Sequence, residues 1–250
     1  MGLGSAHWGY WAKAQHLVAV LALLCAIGAV QAQTPVTPSR VSAHLEHKSQ
    51  IIVLIHGLMR TSLSMYFLKS YLKAQGYQVY SYSYPSAKYS IQEHGIHLNH
   101  FITDLQAKNK GLRIHFITHS LGGIISREAI SKLDAHQRQS IGCLIMLAPP
   151  NQGSLLAKYS TKIIPIITNV IKPLKELSSD NASYVHRVPV PKIKMGIIVG
   201  RYDAKVPPAS GRLNAQTELR IVNSTHTFIM NNAETKRLIT NFLEKGTFKS

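Results

Sequence analysis

The sequence predicts an α/β fold, a doubly wound and mostly parallel sheet of about six strands. Three observations carry that expectation. Short apolar runs recur at residues 51–55, 77–82, 112–118, 142–147, 192–199 and 218–222. Several are nearly continuous Ile, Val and Leu, as strands buried on both faces of a parallel sheet require. Between them lie stretches whose apolar residues recur at helical spacing, and such alternation implies right-handed crossovers onto both faces.

Each element follows in order. Residues 17–30 form a charge-free apolar run behind Lys13 and His16, and Val30-Gln31-Ala32 places small residues where a signal peptidase reads. Residues 1–32 therefore read as a secretory signal peptide, with export to the periplasm or beyond, and an uncleaved N-terminal membrane anchor as the alternative. The run is shorter than the roughly 20 residues that span a bilayer. Leu24 before Cys25 argues against lipid attachment. Residues 33–50 carry Pro35 and Pro38 and read as a linker. Residues 61–75 predict a helix capped by Thr61 or Ser62, with a stripe of Leu63, Phe67, Tyr71 and Leu72, ended by Gly76. Residues 90–105 place Ile91, Leu98, Phe101, Ile102 and Leu105 on one helix face. His94 falls on that stripe, while His97 and His100 turn to the polar face. Three histidines so spaced do not converge on one ion, so no metal site is expected. A last helix is expected over 233–244, before Gly246.

Composition bounds the rest. With 45% hydrophobic and 16% charged residues, the chain suits one globular domain, placed at 51–248. Cys143 lies in an apolar run and reads as a core residue. The net charge of +17 favours anionic partners, an envelope or membrane surface above all. No nucleic-acid motif accompanies the charge, and no nucleic-acid partner is expected. Oligomeric state has no signature in the sequence.

The chemistry centres on Thr118-His119-Ser120-Leu121-Gly122-Gly123. A strand candidate leads into it and a helix follows with Ile124, Ile125, Ala129 and Ile130. That is the strand–turn–helix context of a G-x-S-x-G nucleophile elbow, with Thr118 in place of the first glycine. The turn lifts the serine hydroxyl above the sheet edge and aims a helix N-terminus at the site. Gly122 allows close backbone passage. Serine at a helix N-cap is the plain structural alternative.

A serine nucleophile needs a base and an acid, which in this topology follow it along the chain. His136 comes too early, at the end of the helix that starts at Ser120. His186 precedes the penultimate strand and reads as a surface or cap residue. His226 follows the last strand, where a base belongs. Among the later carboxylates, Glu128 and Asp134 fall to the helix after the elbow, Glu218 opens the last strand, and Glu234 and Glu244 follow the histidine. Asp203 stands at the carboxyl end of the fifth strand, where open α/β sheets build their sites. Asn151, after the preceding strand, carries no charge. An oxyanion hole takes one N–H from the residue after the nucleophile, Leu121, and another from the loop after the first strand. There His56-Gly57-Leu58-Met59 offers a turn at Gly57 and a donor at Leu58.

These pieces resemble the bacterial lipase- and esterase-like α/β-hydrolases over about residues 51–248. The matching motifs are His56 to Thr61, Thr118 to Gly123, Thr225-His226-Thr227, and Leu147-Ala148-Pro149-Pro150-Asn151-Gln152-Gly153-Ser154. The last is similar to a strand-end loop of triacylglycerol lipases, and Asp203 before Val206-Pro207 is similar to the turn around the family's acid. The resemblance implies an acyl ester substrate, with lipids among the candidates, cleaved through an acyl-enzyme without cofactor. Acyl transfer or thioester hydrolysis by the same triad, and a binding protein on this scaffold, remain open. Residues 155–177 alternate apolar positions with Lys158, Lys162, Lys172 and Lys175, interrupted by Pro165 and Pro173. They lie within 152–190, where this fold inserts a cap, and either a lid or a plain crossover helix fits.

Overall fold

The computed structural model describes residues 49–154, 157, 170–214 and 218–249. The signal-peptide and linker expectations lie outside the described residues, apart from the linker's last two positions. Gln50 already belongs to the first strand, β1 (Gln50–Ile55). The other strands are β2 (Gln78–Tyr82), β3 (Arg113–His119), β4 (Ile141–Leu147), β5 (Lys194–Gly200) and β6 (Glu218–Val222). All six pair parallel, in the order β2-β1-β3-β4-β5-β6. The strands thus fall within two residues of the predicted runs.

Helices cover both faces. On one side, α1 (Tyr66–Ala74) and α5 (Ala233–Lys245) bury Leu68, Leu72, Leu238, Ile239 and Phe242 against Ile52, Leu54, Ile117, Ile145 and Ile198. On the other, α2 (Ile91–Lys108) and α3 (Leu121–Ser131) bury Leu98, Ile102, Ile124 and Ile125 against Val53, Phe116, Leu144 and Ile197. Alternate strand residues serve opposite faces, which is why both faces must be apolar. Ser90 caps α2 through a reciprocal capping box with Glu93. Cys143 is buried, and burial pushes its thiol up to about 12.

Two expectations need correction. The segment after β1 opens with a 3-10 turn, Ser62–Met65, before α1 begins, and Thr61 makes no side-chain cap bond. A 3-10 turn advances more tightly than an α-helix, so the buried positions are Met65, Leu68 and Leu72. Leu63 and Phe67 stay exposed, at 75% and 63%, beside exposed Tyr66. The helix after the elbow also ends earlier than expected, at Ser131. His136 sits in a separate short helix, α4 (Ala135–Gln139), which Asp134 caps.

The strand order positions the site. From β1 the chain steps outward to β2, then crosses back to β3 on β1's other side. Ligands of open α/β sheets bind at the carboxyl ends of strands beside such a reversal. Among the described residues the three non-glycine ones with positive φ, Met59, Ser120 and Ala148, follow the ends of β1, β3 and β4. Backbone strain of this kind concentrates at functional sites.

Candidate active site

Ser120 occupies the sharp turn between β3 and α3 with φ 53° and ψ −123°. Its backbone is held on both sides: Ser120 N–H donates to Leu147 O at 2.9 Å, and Gly123 N–H donates to Ser120 O at 3.0 Å. Its side chain makes no N-cap bond, so the helix-capping alternative fails. The hydroxyl instead lies 3.1 Å from His226 Nε2. Thr118, in place of glycine, is fully buried, and its methyl-bearing side chain is accommodated because Gly123 faces it. A Cβ on Gly123 would lie 3.2 Å from Thr118 Oγ1.

His226 follows β6, and its Nδ1 lies 2.7 Å from Asp203 Oδ2. Asp203 follows β5. Its other oxygen accepts Lys205 N–H at 2.9 Å and Val206 N–H at 2.8 Å. Those backbone bonds fix the carboxylate and explain the value of the turn that Val206-Pro207 completes. With Nδ1–H held by the carboxylate, Nε2 is the free acceptor facing Ser120. The three predicted residues therefore form one unbroken chain of contacts.

His119 reaches further than its place in the elbow suggested. Its Nε2 lies 2.9 Å from the main-chain oxygen of His226, and the two rings sit 4.8 Å apart. Because the acceptor is a carbonyl, Nε2 carries the proton. Burial first, then the neighbouring His226, push the His119 pKa down to about 3, so the ring stays neutral. The elbow thus grips the loop that carries His226 by its backbone.

The turn after β1 is similarly anchored. Tyr84, just past β2, donates its hydroxyl to His56 O at 2.8 Å and stacks on the His56 ring at 4.4 Å. Arg60 N–H donates to Gly57 O, and Met59 N–H to Ser86 Oγ at 2.9 Å. Leu58 N–H makes no such bond among the described residues, and Leu121 N–H opens α3, where no intrahelical acceptor exists. Both predicted donors are thus uncommitted. Gly57 and Gly122 bring the two turns together. A Cβ on Gly57 would meet Ser120 Cβ at 3.0 Å, and one on Gly122 would meet Ile55 O at 2.7 Å.

A cavity of about 270 Å³ opens at Ser120 and His226. Leu58, Val206, Ala157, Ile171, Leu174 and Leu177 supply apolar wall, and Arg60 and Lys205 the cationic rim. The described ends of the 152–190 segment therefore face the serine; the greater part of the run 155–177 lies outside the described residues. His186 is exposed, and Asn151 is buried with Arg127 Nη1 at 2.9 Å and Gly211 O at 2.7 Å. Arg127 was not foreseen. It is buried on α3 and also donates to the carbonyls of Val188 and Pro189. His94 is buried with its ring against Tyr84 and Tyr89, while His97 and His100 are exposed.

The profile of the family described as "Putative serine esterase (DUF676)" matches residues 45–163, the stretch that carries the turn after β1 and the elbow at Ser120. A search of curated proteins finds none that matches. Among solved structures, the mature Bacillus licheniformis lipase BlEst2 superposes with a TM-score of 0.65 at 18% identity, over 78% of this chain and 91% of that one. The metagenomic carboxyl esterase MGS0156 gives 0.62 at 15% identity, over 72% of this chain and 65% of that one. MGS-MChE2, an α/β-hydrolase from a lagoon-sediment metagenome, gives 0.58 at 18% identity, over 80% and 92%. At such identities these likenesses speak for the fold, and the esterase profile speaks for the chemistry. Together they show an α/β-hydrolase fold and, through the profile over residues 45–163, support a serine hydrolase acting on ester bonds.

Proposed function

We propose that the chain cleaves carboxylic esters, lipid esters among them, through an acyl-enzyme on Ser120. The observation that carries this reading is the relay from Ser120 Oγ through His226 to Asp203, at 3.1 and 2.7 Å. His226 Nε2 takes the Ser120 proton as Oγ bonds to the ester carbon. The developing oxyanion is held by Leu58 and Leu121 N–H. Collapse breaks the bond to the leaving oxygen, which takes the proton from His226. Water then attacks the acyl-enzyme by the same path, returning the proton to Ser120 Oγ. Asp203 keeps the imidazole in the required tautomer, while His119 positions His226. Loss of one oxyanion donor typically costs about 10²–10³ in rate.

In this reading the acyl chain lies along Ala157, Ile171, Leu174 and Leu177, and residues 152–190 act as a cap over it. The enzyme works outside the cytoplasm after removal of residues 1–32, at an anionic envelope surface suited to its basic charge, +17 for the full chain and one less once Lys13 is removed. The test is hydrolysis of p-nitrophenyl esters from short to long chains by the wild type and Ser120→Ala. The reading expects saturable hydrolysis that Ser120→Ala reduces to background; unchanged hydrolysis in the folded variant refutes it. A rate that climbs with chain length, rather than peaking at short chains, supports lipid esters.

A further inference from the structure

We propose that the preferred esters carry a phosphate on the alcohol side of the scissile bond, seated in a basic groove that opens from the catalytic cavity at Arg60. This deepens the ester-hydrolase reading and rests on it. The groove is a second cavity of about 630 Å³ that shares Arg60 with the first. Its cationic side chains are Arg60, Lys88 and Lys172, and no carboxylate lines it among the described residues.

The walls are built rather than incidental. Ser86, buried at the groove floor, accepts Met59 N–H from the oxyanion turn. Lys172 N–H donates to Ala87 O at 3.0 Å, joining the cap segment to the loop after β2. The backbone segments that carry these cations are therefore tied to one another and to the turn after β1. Among the described residues Arg60 makes one side-chain hydrogen bond, Nη2 to Thr227 Oγ1 at 3.1 Å, on the His226 loop. A guanidinium has five N–H donors, so most of its capacity remains. Lys88 Nζ lies over the Tyr89 ring at 5.2 Å. None of the three is ion-paired to a carboxylate among the described residues. Lys172 acts electrostatically on Glu93, whose carboxylate is already bound by Ser90 N–H and Oγ.

Division of the site then follows from chemistry. The catalytic cavity is apolar around Ile171, Leu174 and Leu177 and takes the acyl chain. The groove offers three cations and the aliphatic hydroxyls of Thr61 and Ser86, and suits a tetrahedral dianion, for which Arg and Lys are matched partners. A general basic charge would scatter cations over the surface; here they meet at one exit from the serine. The phosphate could belong to a glycerophospholipid headgroup or to a soluble acyl thioester of coenzyme A.

The experiment compares kcat/KM of the full chain on 1-acylglycerol 3-phosphate, on the 1-acylglycerol with the same acyl chain, and on the matching acyl-coenzyme A, all below their micellar concentrations. The expected result is a preference of roughly tenfold or more for a phosphate-bearing substrate over the neutral one. That preference should shrink with added salt and collapse in the double variant Lys88→Gln/Lys172→Gln. Lys108→Gln, at the exposed end of α2, should preserve it. Preference for the glycerophosphate assigns a lipid headgroup; preference for the thioester assigns the soluble source. Turnover of all three at equal efficiency, with Ser120 still labelled by a fluorophosphonate, overturns this inference alone. Absence of labelling overturns the hydrolase reading and this inference with it.

Discussion

Replacing Gly122 by alanine tests whether the elbow and the oxyanion turn are held in register by bare backbone contact. The added Cβ would sit 2.7 Å from Ile55 O and 2.8 Å from His56 O. Ordinary contact begins near 3.4 Å, so each approach is about 0.6–0.7 Å too close. Both obstructing atoms are backbone carbonyls, so no rotamer change relieves the clash. The end of β1 must move away from α3, and Gly57 and Leu58 follow directly along the chain. Overpacking of this kind costs roughly 1–3 kcal/mol, or about 2–4 °C in Tm per kcal/mol for a domain of this size. A displacement approaching 1 Å in a catalytic group costs about 10² in rate. We therefore expect Gly122→Ala to fold, to melt several degrees lower, and to lose roughly 10–100-fold in kcat with KM little changed. The assay is steady-state hydrolysis of a p-nitrophenyl ester beside thermal melting. Wild-type kcat in a folded variant would refute the argument, because the turns would then not depend on this contact.

Three further outcomes follow from the same geometry. Asp203→Asn keeps the shape of the relay but permits the wrong imidazole tautomer, so kcat should fall about 10⁴-fold; steady-state rates check it. Arg127→Met strands the carbonyls of Val188 and Pro189 and the Asn151 amide oxygen. It should cost about 3 kcal/mol, read as a lower denaturant midpoint at constant m-value. Acid stability follows from the buried histidines. Burial lowers His115 to about 4, below its ordinary 6.5, so the unfolded chain takes up this proton first as pH falls. Its contribution is complete above pH 6.5, drains away between about 6.5 and 4, and amounts to roughly 3 kcal/mol at most. His115→Leu should flatten that part of the pH dependence of unfolding.

Much of the candidate site's placement was legible because each candidate residue sits just past a strand whose apolar run marks its own end. Ser120, Asp203, His226 and Leu58 all follow that rule. What escaped the sequence depended on geometry across the fold. The α1 stripe was misphased because an initial 3-10 turn, unmarked by any residue type, shifts which side chains face the sheet. Arg127 lies among apolar helix positions, and its partners stand more than 20 residues away along the chain, at Asn151 and at Val188–Pro189. His119 could be placed in the elbow from its motif, but its bond to the His226 backbone spans 107 positions. The Thr118 departure is resolved by a glycine on the next helix, a pairing that the pattern G-x-S-x-G does not encode.

The central claim is that Ser120 is the nucleophile, and covalent capture tests it most directly. The folded chain is treated with a fluorophosphonate and the adduct mapped by peptide mass spectrometry. A single modification on Ser120 is expected, lost in Ser120→Ala and sharply slowed in His226→Ala. An unmodified Ser120, or an adduct on another residue with ester hydrolysis intact, would contradict it.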